Sequence, residues 1–177
     1  MVEAARHPLP ILTALHWQLT PTLQVETAGK HMTSAIIRQR FDFAAAHRLH
    51  APSLSDDENR ATFGRCNNPS GHGHNYRIET AFLTSPASSP PLTAAELESL
   101  VDRVLVDPFD HKHLNEDTEE FSTANGYNPS VENIARVFYD RLAPVAASEL
   151  AGRASLHEVT VWETDRTCAT YPSVQDR

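Results

Sequence analysis

The amino-acid sequence predicts an α+β domain with two helices on one face of a four-stranded antiparallel sheet. Three observations carry that expectation. Residues 35–49 and 75–83 alternate apolar and polar positions, two capped stretches show helical i, i+3, i+4 spacing, and "LHEVTVWET" closes the chain with β-type residues. The order strand, strand, helix, helix, strand, strand suits helices layered on one side of an antiparallel sheet.

Residues 1–34 are an extension expected to be poorly ordered. Its apolar patch is broken by Pro8, Pro10, His16 and Pro21, without the apolar region and cleavage site of a signal peptide. Met32, the only other methionine, stands just before the first strand-like run and is an alternative start. Residues 35–177 make one domain. In "AIIRQRFDFAAAHRL", Ile37, Phe41, Phe43 and His47 share one parity, which places His47 on the face of two phenylalanines. A polar loop, "HAPSLSDDENRATFGR", leads to "CNNPSGHGHNYRIE", where His72, His74, Tyr76 and Ile78 share the face of a second strand.

"TSPASSPP" is a linker that stops before Thr93, which forms a T-x-x-E capping box with Glu96. Leu97, Leu100, Val101, Val104 and Leu105 make the buried stripe of this helix, and Asp107-Pro108 is expected to end it. Beyond "FDHKHLNE" and an acidic loop, Ser130 caps a second helix with Val131, Ile134, Ala135, Phe138 and Leu142 on one face. "LHEVTVWET" and "CATYP" are the last two strands. A sheet of four strands leaves two edges and a face that oligomerisation would cover.

The chain has 177 residues and a net charge of −8, with no Lys/Arg cluster, which disfavours nucleic-acid and membrane-surface binding. No apolar run approaches the length of a membrane span. Two cysteines, Cys66 and Cys168, make no disulfide framework and point to a reducing cytoplasm.

The chemistry lies in short motifs. An H-x-H pair on a strand points both imidazoles to one side, roughly 6–7 Å apart at Cα. His72 and His74 therefore suit one ion, with Gly73 letting the backbone approach closely, and His47 on the neighbouring strand can supply a third nitrogen. Three protein ligands with an open position characterise catalytic zinc. An all-imidazole set suits zinc, copper, nickel or iron rather than magnesium or calcium, and zinc is the default. The alternative is a pair of loop histidines that only hydrogen-bond.

Cys66 lies in a polar turn, where a metal or imidazolium would favour a thiolate acting as nucleophile or base; the alternative is an inert core thiol. Cys168 is read as structural. Asp110-His111 can relay a proton or serve structure alone, and His113 is equally open. Glu163 shares parity with Val159 and Val161, so its carboxylate needs a partner: an arginine, or a ligand edge with two parallel N–H donors. Glu132 at the second helix start satisfies the helix dipole.

Taken together, "FDFAAAHRL", "CNNPSGHGHNY", "FDHKHLN", "NPSVENIA" and "VWETD" resemble, in order and spacing, the 6-pyruvoyl-tetrahydropterin synthase family. That family includes the bacterial 6-carboxy-tetrahydropterin synthases of queuosine biosynthesis. The resemblance covers residues 35–171 and implies a tunnelling fold, in which sheets from three subunits close into a barrel, two barrels stack as a homohexamer, and sites lie between subunits. It implies a zinc-dependent lyase that converts 7,8-dihydroneopterin triphosphate, with loss of triphosphate, to 6-pyruvoyl- or 6-carboxy-tetrahydropterin. By motif position it implies His47, His72 and His74 as zinc ligands, Cys66 as general base, and Asp110 and His111 as its proton-relay partners. Glu163 becomes the pterin anchor, with Ser130 and Glu132 as secondary pterin contacts.

No nucleotide-binding glycine motif is present, consistent with redox equivalents moving within the substrate. Arg60, Arg65 and Lys112 are candidate cations for the triphosphate. The five-residue gap between Cys66 and His72 resembles the pyruvoyl-forming branch. Two rivals stand beside this reading. One is a non-catalytic zinc- or pterin-binding member of the fold. The other is a cupin-like metal protein, suggested by H-x-H-x4-E from His72 to Glu79 but opposed by Cys66 where that motif wants glycine and by the two intervening helices.

Overall fold

The structure is a computed structural model that describes residues 14–28, 33–85, 87–122 and 126–172. Its strands are β1 (Ala14–Gln18), β2 (Leu23–Ala28), β3 (Ala35–His47), β4 (His72–Thr84), β5 (Lys112–His113), β6 (Ala154–Thr164) and β7 (Thr167–Tyr171). They form one sheet in the order β1-β2-β3-β4-β6-β7, antiparallel throughout, with β5 added in parallel beside the end of β3.

The sheet therefore has seven strands, not the four expected. The additions have separate causes. β1 and β2 are a hairpin inside the extension expected to be poorly ordered. Pro21 sits in its connecting loop rather than interrupting a strand, and Thr20 Oγ1 accepts hydrogen bonds from the backbone of Thr22 and Leu23. The hairpin is tied to the sheet by an apolar row, Trp17 to Val25, Val25 to Ile37, and Ile37 to Phe82. Met32 and the first 13 residues lie outside the described residues. β5 is two residues long, below any periodicity signal.

Three main helices accompany the sheet: α1 (Asp56–Phe63), α2 (Ala94–Val101) and α3 (Val131–Glu149). α1 occupies what reads as a polar loop. Its signal is a second capping box, with Ser55 accepting from the Glu58 backbone and the Glu58 side chain accepting from the Ser55 backbone. Buried Asn59 fastens α1 to the end of the preceding loop through both its oxygen and its nitrogen to Ala51. A tight turn, Gly64–Asn67, follows and carries Cys66.

α2 starts at the Thr93–Glu96 box as expected, and all five residues of its stripe are buried. The helical path does not stop at Asp107-Pro108. It widens through a π-helical turn, Asp102–Val106, and adds a last turn, Asp107–Phe109. Pro108 lies in the first turn of that segment, where its missing N–H removes no required bond. α3 begins at the expected Ser130 cap.

α2 and α3 cover one sheet face. Phe43 stacks on Tyr76 at 4.9 Å and meets Phe138 at 5.5 Å, and Phe138 meets Phe109 at 4.8 Å. Each such buried ring contributes about 1.5–3 kcal/mol of hydrophobic stabilisation. The reverse face carries an ion network instead. Arg38 reaches Glu26, Glu79 and Glu158, and Arg40 shares Glu79.

At the entrance to β4 the glycine that geometry requires is Gly71. Its φ is +68°, and a Cβ there would lie 2.4 Å from His113 Nε2. At Gly73 a Cβ would meet only the Ala45 carbonyl at 3.7 Å, an ordinary contact, so close backbone approach is not what Gly73 provides. Gly71→Ala should destabilise the chain by at least about 1–2 kcal/mol in chemical denaturation. Gly73→Ala should be neutral or stabilising by up to about 1 kcal/mol. Equal effects at the two positions contradict this assignment.

Candidate active site

β3 and β4 pair in a register that sets His47 opposite His72 and Ala45 opposite His74. Side chains alternate across a strand, so all three imidazoles emerge on the helix-covered face, where Phe43 and Tyr76 continue the same rows inward. The ring centroids lie 4.6 Å apart for His47–His72 and for His72–His74, and 5.2 Å apart for His47–His74. One ligand nitrogen from each lies within 4.8 Å of the other two.

The hydrogen bonds fix where the lone pairs point. His47 is fully buried, and its Nδ1–H donates to the Pro129 carbonyl at 2.8 Å, with the Tyr76 hydroxyl 3.3 Å from the same nitrogen. Its Nε2 is thereby left with a lone pair facing His72 Nε2 at 3.3 Å. His74 Nε2 is buried with no hydrogen-bond partner. Two ring nitrogens at such separation, beside a third without a partner, fit a cation between them. The donor set is all imidazole, which zinc accepts.

Burial drives the His47 pKa down to about 4, and the charges of His72 and His74 push in the same direction against the Pro129 hydrogen bond. The His74 pKa is also lowered, first by burial. Both rings are therefore neutral at pH 7, the state in which imidazole ligates a metal.

Glu163 stands over this cluster. It lies at an irregularity in the β6–β7 pairing between Trp162 and Thr164, and its Oε1 is 3.3 Å from His47 Nε2 and 3.5 Å from His74 Nε2. Among the described residues it comes within ion-pair distance of these imidazoles and of no arginine. Cys66, partly buried on its tight turn, is close enough to feel that carboxylate. Burial first, and then the Glu163 charge, push its thiol pKa up rather than down in the metal-free chain. The Cys66 carbonyl accepts from Leu49 N at 2.7 Å, which docks the turn against the end of β3. Cys168 is exposed on β7 and takes no part.

Asp110 and His111 are paired but are not brought to this face. Asp110 Oδ1 accepts from Ala44 N at 2.8 Å, and His111 N donates to Ala44 O at 2.6 Å, so the pair hangs on the outer edge of β3. Asp110 Oδ2 lies 2.7 Å from His111 Nδ1, and the Ala44 N–H, followed by His111, holds the Asp110 carboxyl below its usual range. The His111 ring is 82% exposed. It opens on a concavity of about 480 Å³ bordered by residues 44–46 of β3 and 73–75 of β4, His74 among them.

Ser130 caps α3, accepting from Asn133 N, and stands next to the Pro129 carbonyl that orients His47. Glu132 is exposed in the first turn of α3. Sequence reasoning missed the Pro129 carbonyl and the asparagine clamps around it. Asn128 Oδ1 accepts from His50 N, Asn67 Nδ2 donates to Leu49 O, and Asn115 binds both backbone groups of Arg48. Tyr76 was legible by parity alone, but its approach to His47 was not.

Comparison with known proteins agrees with the geometry. The family model described as 6-pyruvoyl tetrahydropterin synthase matches residues 36–173. The human 6-pyruvoyl tetrahydrobiopterin synthase is 34% identical over 145 residues, covering 81% of this chain and 94% of the human one. A 6-carboxy-5,6,7,8-tetrahydropterin synthase from Haemophilus influenzae is 22% identical, covering 76% of this chain and 96% of that protein. The structure of the Caenorhabditis elegans 6-pyruvoyl tetrahydropterin synthase superposes with a TM-score of 0.68 at 34% identity, over 79% of this chain and 96% of the nematode chain. With its imidazole cluster, Cys66 turn and Glu163 in place, this chain belongs to the 6-pyruvoyl tetrahydropterin synthase family.

Proposed function

We propose that this chain is a zinc-dependent lyase that converts 7,8-dihydroneopterin triphosphate to 6-pyruvoyl-tetrahydropterin with loss of triphosphate. The observation that carries the reading is the convergence of three imidazoles from paired strands beneath a carboxylate, with a thiol alongside. The pyruvoyl product, rather than the carboxy product of queuosine biosynthesis, is supported by the Cys66–His72 gap. The 34% identity to the human pyruvoyl-forming relative, against 22% to the carboxy-forming one, points the same way.

Bound by His47, His72 and His74, zinc supplies a Lewis acid that acidifies the substrate's side-chain hydroxyls. The chain's own groups do the remaining work. Glu163 accepts the pterin 2-amino and ring N–H as two parallel hydrogen bonds, which draws its charge from the imidazoles to the ligand. Ser130 and Glu132 make secondary pterin contacts. Cys66 Sγ takes a proton from the substrate side chain. His111 keeps its Nδ1–H on Asp110 and leaves Nε2 to accept and return protons.

Because the dyad hangs on the β3 backbone with its ring exposed, it is assigned to the Cys66 of a neighbouring copy. This agrees with a homohexamer, a dimer of trimers, with sites between subunits. In this chain the sheet path ends at β1 and β7, and these are the edges we assign to contact between copies. No helix among the described residues is long and apolar enough to cross a membrane, and two free cysteines fit a cytoplasmic enzyme.

Purified protein incubated with 7,8-dihydroneopterin triphosphate should yield the pyruvoyl pterin and inorganic triphosphate by mass. The carboxy pterin with acetaldehyde overturns the product, and no reaction overturns the enzyme. Cys66→Ala should keep stoichiometric zinc and lose at least about 100-fold in turnover. His72→Ala should lose the metal, read by elemental analysis.

A pH dependence follows from His47. Its pKa of about 4 in the metal-free fold lies below the ordinary 6.5, so the unfolded chain binds the extra proton first as pH falls. The stabilisation is complete above pH 6.5 and is lost progressively down to pH 4, a change of roughly 3 kcal/mol. Urea melts of chelator-treated protein across that window should show the loss. A flat profile contradicts a buried neutral His47.

A further inference from the structure

Beside the metal cluster lies a second cavity, of about 300 Å³, apart from the groups that carry the proposed chemistry. Arg48, His50, Ser122 and Tyr127 are among its lining residues. Arg48 is anomalous among the described arginines. Arg38, Arg40, Arg60, Arg77, Arg103, Arg136, Arg141 and Arg153 each face a carboxylate within 4.0 Å. Arg65 and Arg166 lack one but are exposed. Arg48 is partly buried, has no carboxylate among the described residues, and keeps a fully buried Nε with no hydrogen-bond partner. The buried Nε–H lacks an acceptor, and a buried donor left unpaired is costly until a ligand supplies one.

The surroundings present donors. His50 Nδ1 faces two groups that can only donate, Arg48 Nη2 at 3.3 Å and Asn67 Nδ2 at 3.2 Å. Nδ1 therefore accepts, and the ring proton sits on Nε2. Asn67 is held in that orientation by donating to Leu49 O at 2.7 Å. Asn115 and Asn128 hold the backbone of Arg48 and His50, so both side chains project from a pinned segment. The lining contains one carboxylate, Glu116, and it is exposed.

The place is equally informative. Arg48 follows the metal-ligating His47 in the chain, and Asn128 precedes the Pro129 carbonyl that orients it. His113, which acts electrostatically on His47, also lines this cavity, so the cavity adjoins the imidazole cluster. We propose that the cavity is a polyphosphate subsite, in which the Arg48 guanidinium and the His50 Nε2–H receive the phosphate tail of the substrate. The choice of a polyphosphate rests on the proposed function; the demand for an anion rests on Arg48 itself. The cations favoured by sequence stand elsewhere. Arg60 is exposed and paired with Asp57, Arg65 is exposed on the Cys66 turn, and Lys112 lines the concavity of His111.

The test is calorimetric titration of the full chain with inorganic tripolyphosphate. It is run zinc-loaded and again after dialysis against chelator, so that anion held by the metal is separated from anion held by the protein. Binding should persist without metal. It should weaken at least tenfold in Arg48→Met and less in Arg48→Lys, which keeps the charge but not the planar fork. Arg103→Met, which removes a guanidinium paired with Glu149, should bind as the parent does.

Thermal melts establish that each variant is folded, and Arg48→Lys decides the matter if Arg48→Met is not. Binding that disappears with the metal, or that is unchanged in both Arg48 variants, overturns the subsite. Arg48-dependent binding in a protein that does not turn over dihydroneopterin triphosphate overturns the proposed reaction and leaves the subsite standing.

Discussion

The site depends on one cross-strand pairing, His47 against His72 in the β3–β4 ladder. Strand periodicity does the rest: His74 follows two residues on, and all three rings lie on the face that also carries the Phe43–Tyr76 stack. The cluster is thus an extension of the core, built on rigid strands with Pro129 holding the innermost ring in one tautomer. A slip of one residue in register would send the histidines of one strand to the ion-network face and dissolve the cluster. The long antiparallel ladder and the apolar rows on its buried face oppose such a slip.

That placement produces an electrostatic tension. Burial keeps His47 and His74 neutral, yet Glu163 brings a carboxylate to within 3.3 Å of His47, and burial followed by that carboxylate raises the neighbouring thiol. Among the described residues the carboxylate of Glu163 faces the imidazole edges of His47 and His74. A cation among the nitrogens and a pair of N–H donors on the ligand resolve the same tension from two sides, and both are what the proposed chemistry requires. The dyad at the far edge of β3 is fastened to the strand backbone, away from the imidazole cluster. Asp110 spends one oxygen on the Ala44 backbone and the other on His111, leaving the exposed ring directed outward.

Much of this was legible in the sequence, for definable reasons. Parity alone located His47, His72, His74 and Tyr76, because a strand has a fixed period. The α2 stripe and both expected caps were readable from spacing. What was not legible depends on tertiary contact. The β1–β2 hairpin is stabilised by the Trp17–Val25–Ile37 row, which crosses three strands and has no local signature, while its prolines suggested disorder. α1 was hidden by polar composition, although its S-x-x-E box was present. Pro108 was read as a stop because sequence does not distinguish a proline after a helix from one in the first turn of the next segment. The need for glycine fell on Gly71 rather than Gly73 because the crowding comes from His113, which is distant in the chain. The unpaired state of Arg48 is likewise a property of what the fold leaves around it.

The most direct test of the central claim is X-ray absorption at the zinc edge of the purified protein. Three imidazole nitrogens at about 2.0–2.1 Å with one further light-atom ligand, and no sulfur, is the predicted first coordination shell. A sulfur scatterer at about 2.3 Å would make Cys66 a structural ligand rather than a base, and a protein that takes up no metal would contradict the three-imidazole site.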